Sequence, residues 1–208
     1  MLFTFDLLSI TYVTLLLMAF GINVKDRATL LTSVPNIIIL RAWVGYITPK
    51  LLIFHEWRWY WIFLVPIEVV FCYAFEDLYG YCFHRYCHSN KYLFKHVHSF
   101  HHKNQAECFT TAFYVHPAEL TGFYFIGIVL GPVLLTYFNV GVTWCGLFAW
   151  YFSAEFYLFW SHTGRDIPYL PSTKFHENHH RFYNCNYSSI YMDGVMGTLR
   201  TDTRPDQD

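Results

Sequence analysis

Charge is scarce in this sequence. Asp, Glu, Lys and Arg make up 14% of its 208 residues and nearly cancel, leaving a formal net charge of −1. The Lys and Arg residues are scattered, with no basic stripe to follow a phosphate backbone, so no nucleic-acid partner is expected. The six cysteines, Cys72, Cys82, Cys87, Cys108, Cys145 and Cys185, lack the dense, regular spacing of a secreted scaffold. Free thiols are therefore expected. No internal repeat, low-complexity segment or linker breaks the chain. Neither a basic leader nor a small-residue cleavage site marks the first apolar run, so residues 2–24 read as a retained membrane anchor.

What the chain has in quantity is apolar and aromatic surface. Hydrophobic residues are 54% of the total and aromatic ones 22%, the profile of a membrane protein. Residues 7–24 form a first candidate span, closed by Lys25, Asp26 and Arg27. Residues 28–47 form a weaker second one, with Arg41 inside it and Pro35 placed to kink it. Trp57, Trp59, Tyr60 and Trp61 resemble an interfacial belt, after which residues 62–75 continue as a third apolar helix into Glu76 and Asp77. Residues 120–138 and 140–160 make two more spans, joined at Asn139-Val140-Gly141 by a connection short enough for a tight helical hairpin. The expected fold is an all-α integral membrane protein of about four to five spans. The division read from the sequence is residues 1–76 as anchor helices, 77–200 as a catalytic unit containing the hairpin at 120–160, and 201–208 as a frayed polar tail.

Between these spans lie two His-rich polar stretches, 79–117 and from 162 onward. Two spans return a chain to the side it left, so both stretches share one face. They carry Arg85, Lys91, Lys95, Lys103, Arg165, Lys174, Arg181, Arg200 and Arg204, whereas the hairpin tip is uncharged, which places that face in the cytosol.

Histidine carries the chemical information. His84 and His88 are spaced i, i+4; His98, His101 and His102 follow i, i+3, i+4; His176, His179 and His180 repeat that pattern. On a helix these offsets bring side chains to one face, and neighbouring histidines at i+3 and i+4 diverge enough to serve two ions. Eight imidazoles, with His162 as a ninth, suit a two-metal centre that keeps a position open for substrate or oxygen. Packing so many imidazoles beside a membrane with unsatisfied nitrogens is costly, and metal satisfies them. Spacing alone does not choose among zinc, copper, iron and nickel. His55 and His96, standing alone, read as hydrogen-bonded packing residues.

Around the clusters, Asp77 is placed on one helix face with Tyr81 and His84, where it reads either as an acceptor orienting an imidazole or as a charge at a helix end. Glu177 and Glu107 read as solvated. His116, before Pro117, is either a helix cap or a residue that orients ligands or gates substrate, with Glu119 close by.

The segment from Asp77 to His102, followed by Tyr114-Val-His-Pro-Ala-Glu119, Ser161-His-Thr-Gly-Arg-Asp-Ile-Pro168, His176 to His180 and Asn186-Tyr187 with Met192-Asp-Gly-Val-Met-Gly-Thr198, resembles the fatty acid hydroxylase superfamily of membrane di-iron oxygenases. The likeness covers residues 77–198, and its second and third motifs are most similar to the 4-methylsterol monooxygenases. It implies two Fe ions held by His84, His88, His98, His101, His102, His162, His176, His179 and His180, with Asp77, His116, Glu119, Asn186 and Asp193 as residues that orient them. It further implies O2 as oxidant and electrons from NAD(P)H through cytochrome b5 and its reductase, at the cytosolic side of the endoplasmic reticulum. The implied substrate is a lipid, first a 4-methylsterol, with sterol desaturation and fatty acid or alkyl lipid hydroxylation as sister activities.

Two other classes compete. A zinc hydrolase would need a carboxylate base in an H-E-x-x-H pattern, but after His176-Glu177 the next histidine comes at i+3. A metal transporter would place its ligands inside the spans, whereas these clusters lie outside them.

Overall fold

The computed structural model describes residues 27–56, 58–104 and 108–201. The expected first span at 7–24, Trp57, Glu107 and the tail beyond Thr201 lie outside them. The described residues form helices and connecting loops, without a strand beyond an isolated bridge between Phe54 and Val142.

Helix α1, Arg27–Tyr46, has its polarity turned inside out. Thr29, Ser33, Asn36 and Leu40 recur on its buried face, while Leu31, Val34 and Ile38 are exposed. Small and hydrogen-bonding residues packed inward, with apolar residues outward, make the arrangement of a helix facing lipid. Asn36 completes it by donating from Nδ2 to the carbonyls of Phe113 and Val115 at 2.9 and 3.0 Å. Two helical segments, Arg27–Leu51 and Pro117–Tyr137, are long and apolar enough to cross a bilayer, and the chain is a membrane protein.

Helix α2, Val65–Ser89, is the central element. It starts on Pro66, which suits the first turn because no amide is needed there. The sequence predicts an apolar helix ending near Phe75, yet the observed helix runs nearly four further turns through Glu76, Asp77, His84 and His88. Its polar residues do not break it because Asp77, Gly80, Tyr81 and His84 lie at i, i+3, i+4, i+7 and turn into the protein together. Asn90 ends α2 and caps α3, Lys91–His96, accepting from the amides of Tyr92 and Leu93.

Helix α4, Pro117–Tyr137, opens on His116 as cap and contains a π-helical stretch at Leu120–Phe125. It lies against α2 so closely that a Cβ at Gly131 would stand 2.6 Å from Cα of Cys72. Asn139 and Gly141, both at positive φ, turn the chain into α5, Trp144–Ser161. Its cap Thr143 is tied to α2, because Glu68 accepts from both its amide and its hydroxyl. Helix α5 packs on α2 as well, then leads into α6, Lys174–Phe182, and α7, Ile190–Val195. The three His clusters thus stand on α2, on a 3-10 turn at His98–Lys103, and on α6, with His162 just past the end of α5.

Candidate metal centre

Nine imidazoles converge in two groups: His84, His88, His98, His102 and His179 in one, His101, His162, His176 and His180 in the other. Within each group the nitrogens lie within 4.8 Å of one another. Neighbouring residues part company here. His101 and His102 go to different groups, as do His179 and His180. The His98–Lys103 segment achieves this as a 3-10 turn, not as the α-helix its spacing predicts.

Hydrogen bonds fix several of the ring tautomers. His84 donates from Nδ1 to the carbonyl of Tyr187, His179 to that of Cys185 at 2.7 Å, and His162 to that of Leu158 at 2.9 Å. His98 Nδ1 meets Oε1 of Glu119 at 2.7 Å, with both side chains buried. A neutral imidazole protonated at Nδ1 offers only a lone pair at Nε2. Yet Nε2 of His84 lies 2.9 Å from Nε2 of His98, and Nε2 of His102 lies 3.2 Å from that of His179. In the second group, Nε2 of His176 is 3.0 Å from those of both His162 and His180. The lone pairs of His84 and His98 face each other, a contact that a shared cation relieves, and the donor set fits a metal.

Protonation does not relieve it. Burial holds His84 and His162 down at about 4, and burial together with the neighbouring His84 holds His88 at about 2. Burial, then mutual repulsion, keeps His98, His101, His102, His176, His179 and His180 well below the ordinary imidazole value. All nine are neutral at physiological pH and free to ligate.

A cavity of about 320 Å³ opens beside these rings. His84, His98, His101, His162 and His176 line one part of it, and Leu40, Phe123, Ile128, Trp150, Ala154 and Leu158 form much of the remaining wall. A second, more open depression of about 520 Å³ reaches His88 and His102 past Phe94, Lys103 and Tyr183.

The surrounding residues divide by role. Glu119 touches a ring directly. Asp77 does not: its Oδ2 accepts from Ser189 at 2.7 Å, because the carbonyl of Tyr187 already occupies Nδ1 of His84. His116 caps α4, its Nδ1 accepting from the amide of Ala118 at 3.1 Å, and faces no ligand group. Asn186 ties the loop to Phe175 and Arg200, and Asp193 accepts from the amides of Tyr187 and Ser188. These two hold the loop whose carbonyls orient His84 and His179. His55 and His96 stand outside both groups, and His96 is exposed against Tyr92, not packed in a core. Sequence reasoning passed over the carbonyls of Leu158, Cys185 and Tyr187, which no side-chain pattern announces, and the cavity residues Tyr73, Glu76 and Tyr157. For Glu76 a signal existed, a second carboxylate beside Asp77 at the end of an apolar run.

Comparison with known proteins converges on the same segment. The fatty acid hydroxylase profile matches residues 69–198. A methylsterol monooxygenase of Aspergillus fumigatus is 32% identical over 144 residues, 64% of this chain and 46% of the relative. A methylsterol monooxygenase of Arabidopsis thaliana is 35% identical over 147 residues, 64% of this chain and 53% of the relative. A very-long-chain aldehyde decarbonylase of Oryza sativa is 35% identical over 150 residues, 65% of this chain and 53% of the relative. The chain spans about half the length of these relatives. No solved structure matches it.

Proposed function

Because the chain belongs to the fatty acid hydroxylase family, we propose that it is an integral membrane oxygenase that oxidises a C–H bond of a lipid, a sterol in the first place, at a centre of two iron ions. The observation that carries this reading is the division of nine imidazoles, seven buried and His88 and His176 half-buried, into groups of five and four beside one largely apolar cavity. His84, His88, His98, His102 and His179 hold one ion; His101, His162, His176 and His180 hold the other. When bound, the iron pair supplies activation of O2 with electrons from NAD(P)H through cytochrome b5 and its reductase. The rest falls to the chain. Glu119 and the carbonyls of Leu158, Cys185 and Tyr187 fix the rings, and the apolar wall keeps water away from the carbon presented to them.

The names of the relatives favour a lipid substrate, both sterol and long-chain. Helices α1, α2, α4 and α5 are four of the proposed four to five spans, and residues 77–200 form the catalytic unit. The endoplasmic reticulum is the proposed membrane, with the His clusters toward the cytosol, where the scattered Lys and Arg of the polar stretches belong.

The test is metal analysis of detergent-purified protein after anaerobic iron loading, followed by oxygen uptake with a lipid panel that begins with 4-methylsterols. Two irons per chain and lipid-dependent uptake are expected. Stoichiometric zinc that iron does not displace, with no uptake under reducing conditions, would overturn the proposal in favour of a zinc hydrolase.

A further inference from the structure

The cavity has a second polar region away from the imidazoles. Tyr73, Glu76 and Asp77 from α2, Tyr157 from α5 and Ser189 before α7 all line it. Asp77 is 6% exposed, and although Oδ2 is bonded to Ser189, Oδ1 is buried with no partner. Among the described residues, no protein hydrogen bond reaches the carboxylate of Glu76 or the hydroxyl of Tyr157, both at the cavity wall. Among the described residues, no Lys or Arg lines the cavity to neutralise these groups. Arg41 is spoken for, bonded at 3.0 Å to Glu155. Carboxylates left unpaired within the spans of a membrane protein are costly and mark a site.

Their position sets what they can reach. Glu76 precedes His84 by eight residues on α2, about 12 Å along the helix axis, and Tyr157 precedes His162 by five, about 7.5 Å. Both offsets run away from the ligand groups, toward the interior of the span. Between the two poles the wall includes the apolar side chains of Leu158, which follows Tyr157 toward His162, and Phe123, which lies against Gly80 and 5.4 Å from the ring of His84, while Trp150 and Ala154 lie beyond Tyr157 on α5. Two carboxylates that only accept, beside a phenol that both donates and accepts, match a hydroxyl group, which uses both capacities at once. An ammonium group would leave the donor of Tyr157 unused.

We infer that Glu76, Asp77 and Tyr157 form a recognition site for a lipid hydroxyl lying about 8–12 Å from the carbon presented to the imidazoles. This rests on the lipid-oxidation reading and narrows it: the substrate is a lipid alcohol oxidised far from its hydroxyl. A sterol anchored by its hydroxyl presents its distant rings, and a long-chain alcohol presents a mid-chain methylene. A 4-methylsterol, whose hydroxyl is on the carbon next to the one bearing its methyl, leaves the site unfilled.

Binding, not turnover, tests this. Metal-free full-length protein in nanodiscs is titrated with cholesterol and with hexadecanol, each against its methyl ether, by displacement of a fluorescent lipid. At least one alcohol is expected to bind about tenfold or more tighter than its ether, the size of a hydrogen bond to a charged group. Which alcohol shows the preference separates a sterol from a chain. Glu76→Gln is expected to bring the ratio toward parity and Tyr157→Phe to weaken alcohol and ether alike, because both ligand oxygens accept from the phenol, while exposed Glu56→Gln leaves both affinities unchanged. Equal binding of alcohol and ether by the unaltered protein, or no binding by either, overturns the inference without relying on a variant that must fold. So does a preference that survives Glu76→Gln, or binding of both ligands indifferent to Tyr157→Phe. Oxidation of a 4-methylsterol at a rate indifferent to Glu76→Gln would uphold the lipid-oxidation reading and overturn this site. A hydroxyl preference without oxidation of any lipid would do the reverse.

Discussion

Glu119 accepts the Nδ1 proton of His98 at 2.7 Å with both side chains buried, joining the first turn of α4 to the 3-10 turn that carries three of the nine imidazoles. The contact sets which nitrogen of His98 faces its group and raises that nitrogen's basicity. Glu119→Gln keeps an amide oxygen but loses the charge, and is expected to weaken iron binding about 10–100-fold. A chelator competition titration measures it. Unchanged affinity would mean that packing alone orients His98.

The parting of His101 from His102 makes a selective prediction. His102→Ala removes a ligand from the group containing His84, and His101→Ala one from the group containing His176. Each is expected to lose the ion of one group while the other persists, which elemental analysis with Mössbauer spectroscopy would resolve into two different residual signals. Identical residual signals would mean that the two groups do not act as separate sites.

How much of this was legible in the sequence depends on what kind of signal each feature leaves. Helix α1 falls within a residue of its expected bounds because Arg27 and the turn after Tyr46 punctuate a continuous apolar run. The continuation of α2 past Phe75 was not legible from hydropathy, since Asp77 and His84 look like the end of a span until their shared face is counted. Eight imidazoles were singled out by spacing and His162 by its place at the start of the second polar stretch, and these nine converge. That neighbours such as His179 and His180 serve different groups was legible too, whereas the 3-10 form of His98–Lys103 was not. The carbonyls of Leu158 and Cys185 that hold His162 and His179 were invisible, because every residue has a carbonyl and only the fold chooses which one is used.

Gly131 tests the closeness of α2 and α4. A methyl group there would stand 2.6 Å from the Cα of Cys72, against backbone that has no rotamer with which to yield. Gly131→Ala is expected to destabilise the protein by about 1–3 kcal/mol, the usual cost of forcing atoms into a packed interface. Gly194→Ala, whose new methyl meets nothing nearer than 3.9 Å, serves as control in the same detergent melting experiment. Equal melting of the two would show that the helices can separate freely.

Acid acts on the metal-free chain in a definite direction. His84 and His162 titrate at about 4 when folded, against 6.5 ordinarily, because burial opposes their charged form. Between these values the unfolded chain binds protons that the folded chain refuses. Stability from these groups is therefore complete above pH 6.5 and declines toward pH 4, by about 1.4 kcal/mol per pH unit for each imidazole. Bound metal is released in the same direction, since protons compete for the ligand nitrogens. Melting curves of the metal-free protein across this range are expected to shift downward with acid; a flat profile would mean that the rings are solvated.

Glu177 separates oxygenase from hydrolase. It sits between His176 and His179 in sequence, where a carboxylate base would be sought, yet it is exposed on α6 while both histidines turn inward to their groups. An exposed carboxylate on the outer face of a helix cannot take a proton from a water held between the imidazoles. Glu177→Gln is accordingly expected to retain metal and lipid-dependent oxygen uptake at close to the original level, whereas Glu119→Gln binds iron more weakly and loses uptake in proportion. If Glu177→Gln abolished activity while leaving metal content intact, a general base would be at work on that side of the centre, and hydrolytic chemistry would become the better account of the nine histidines.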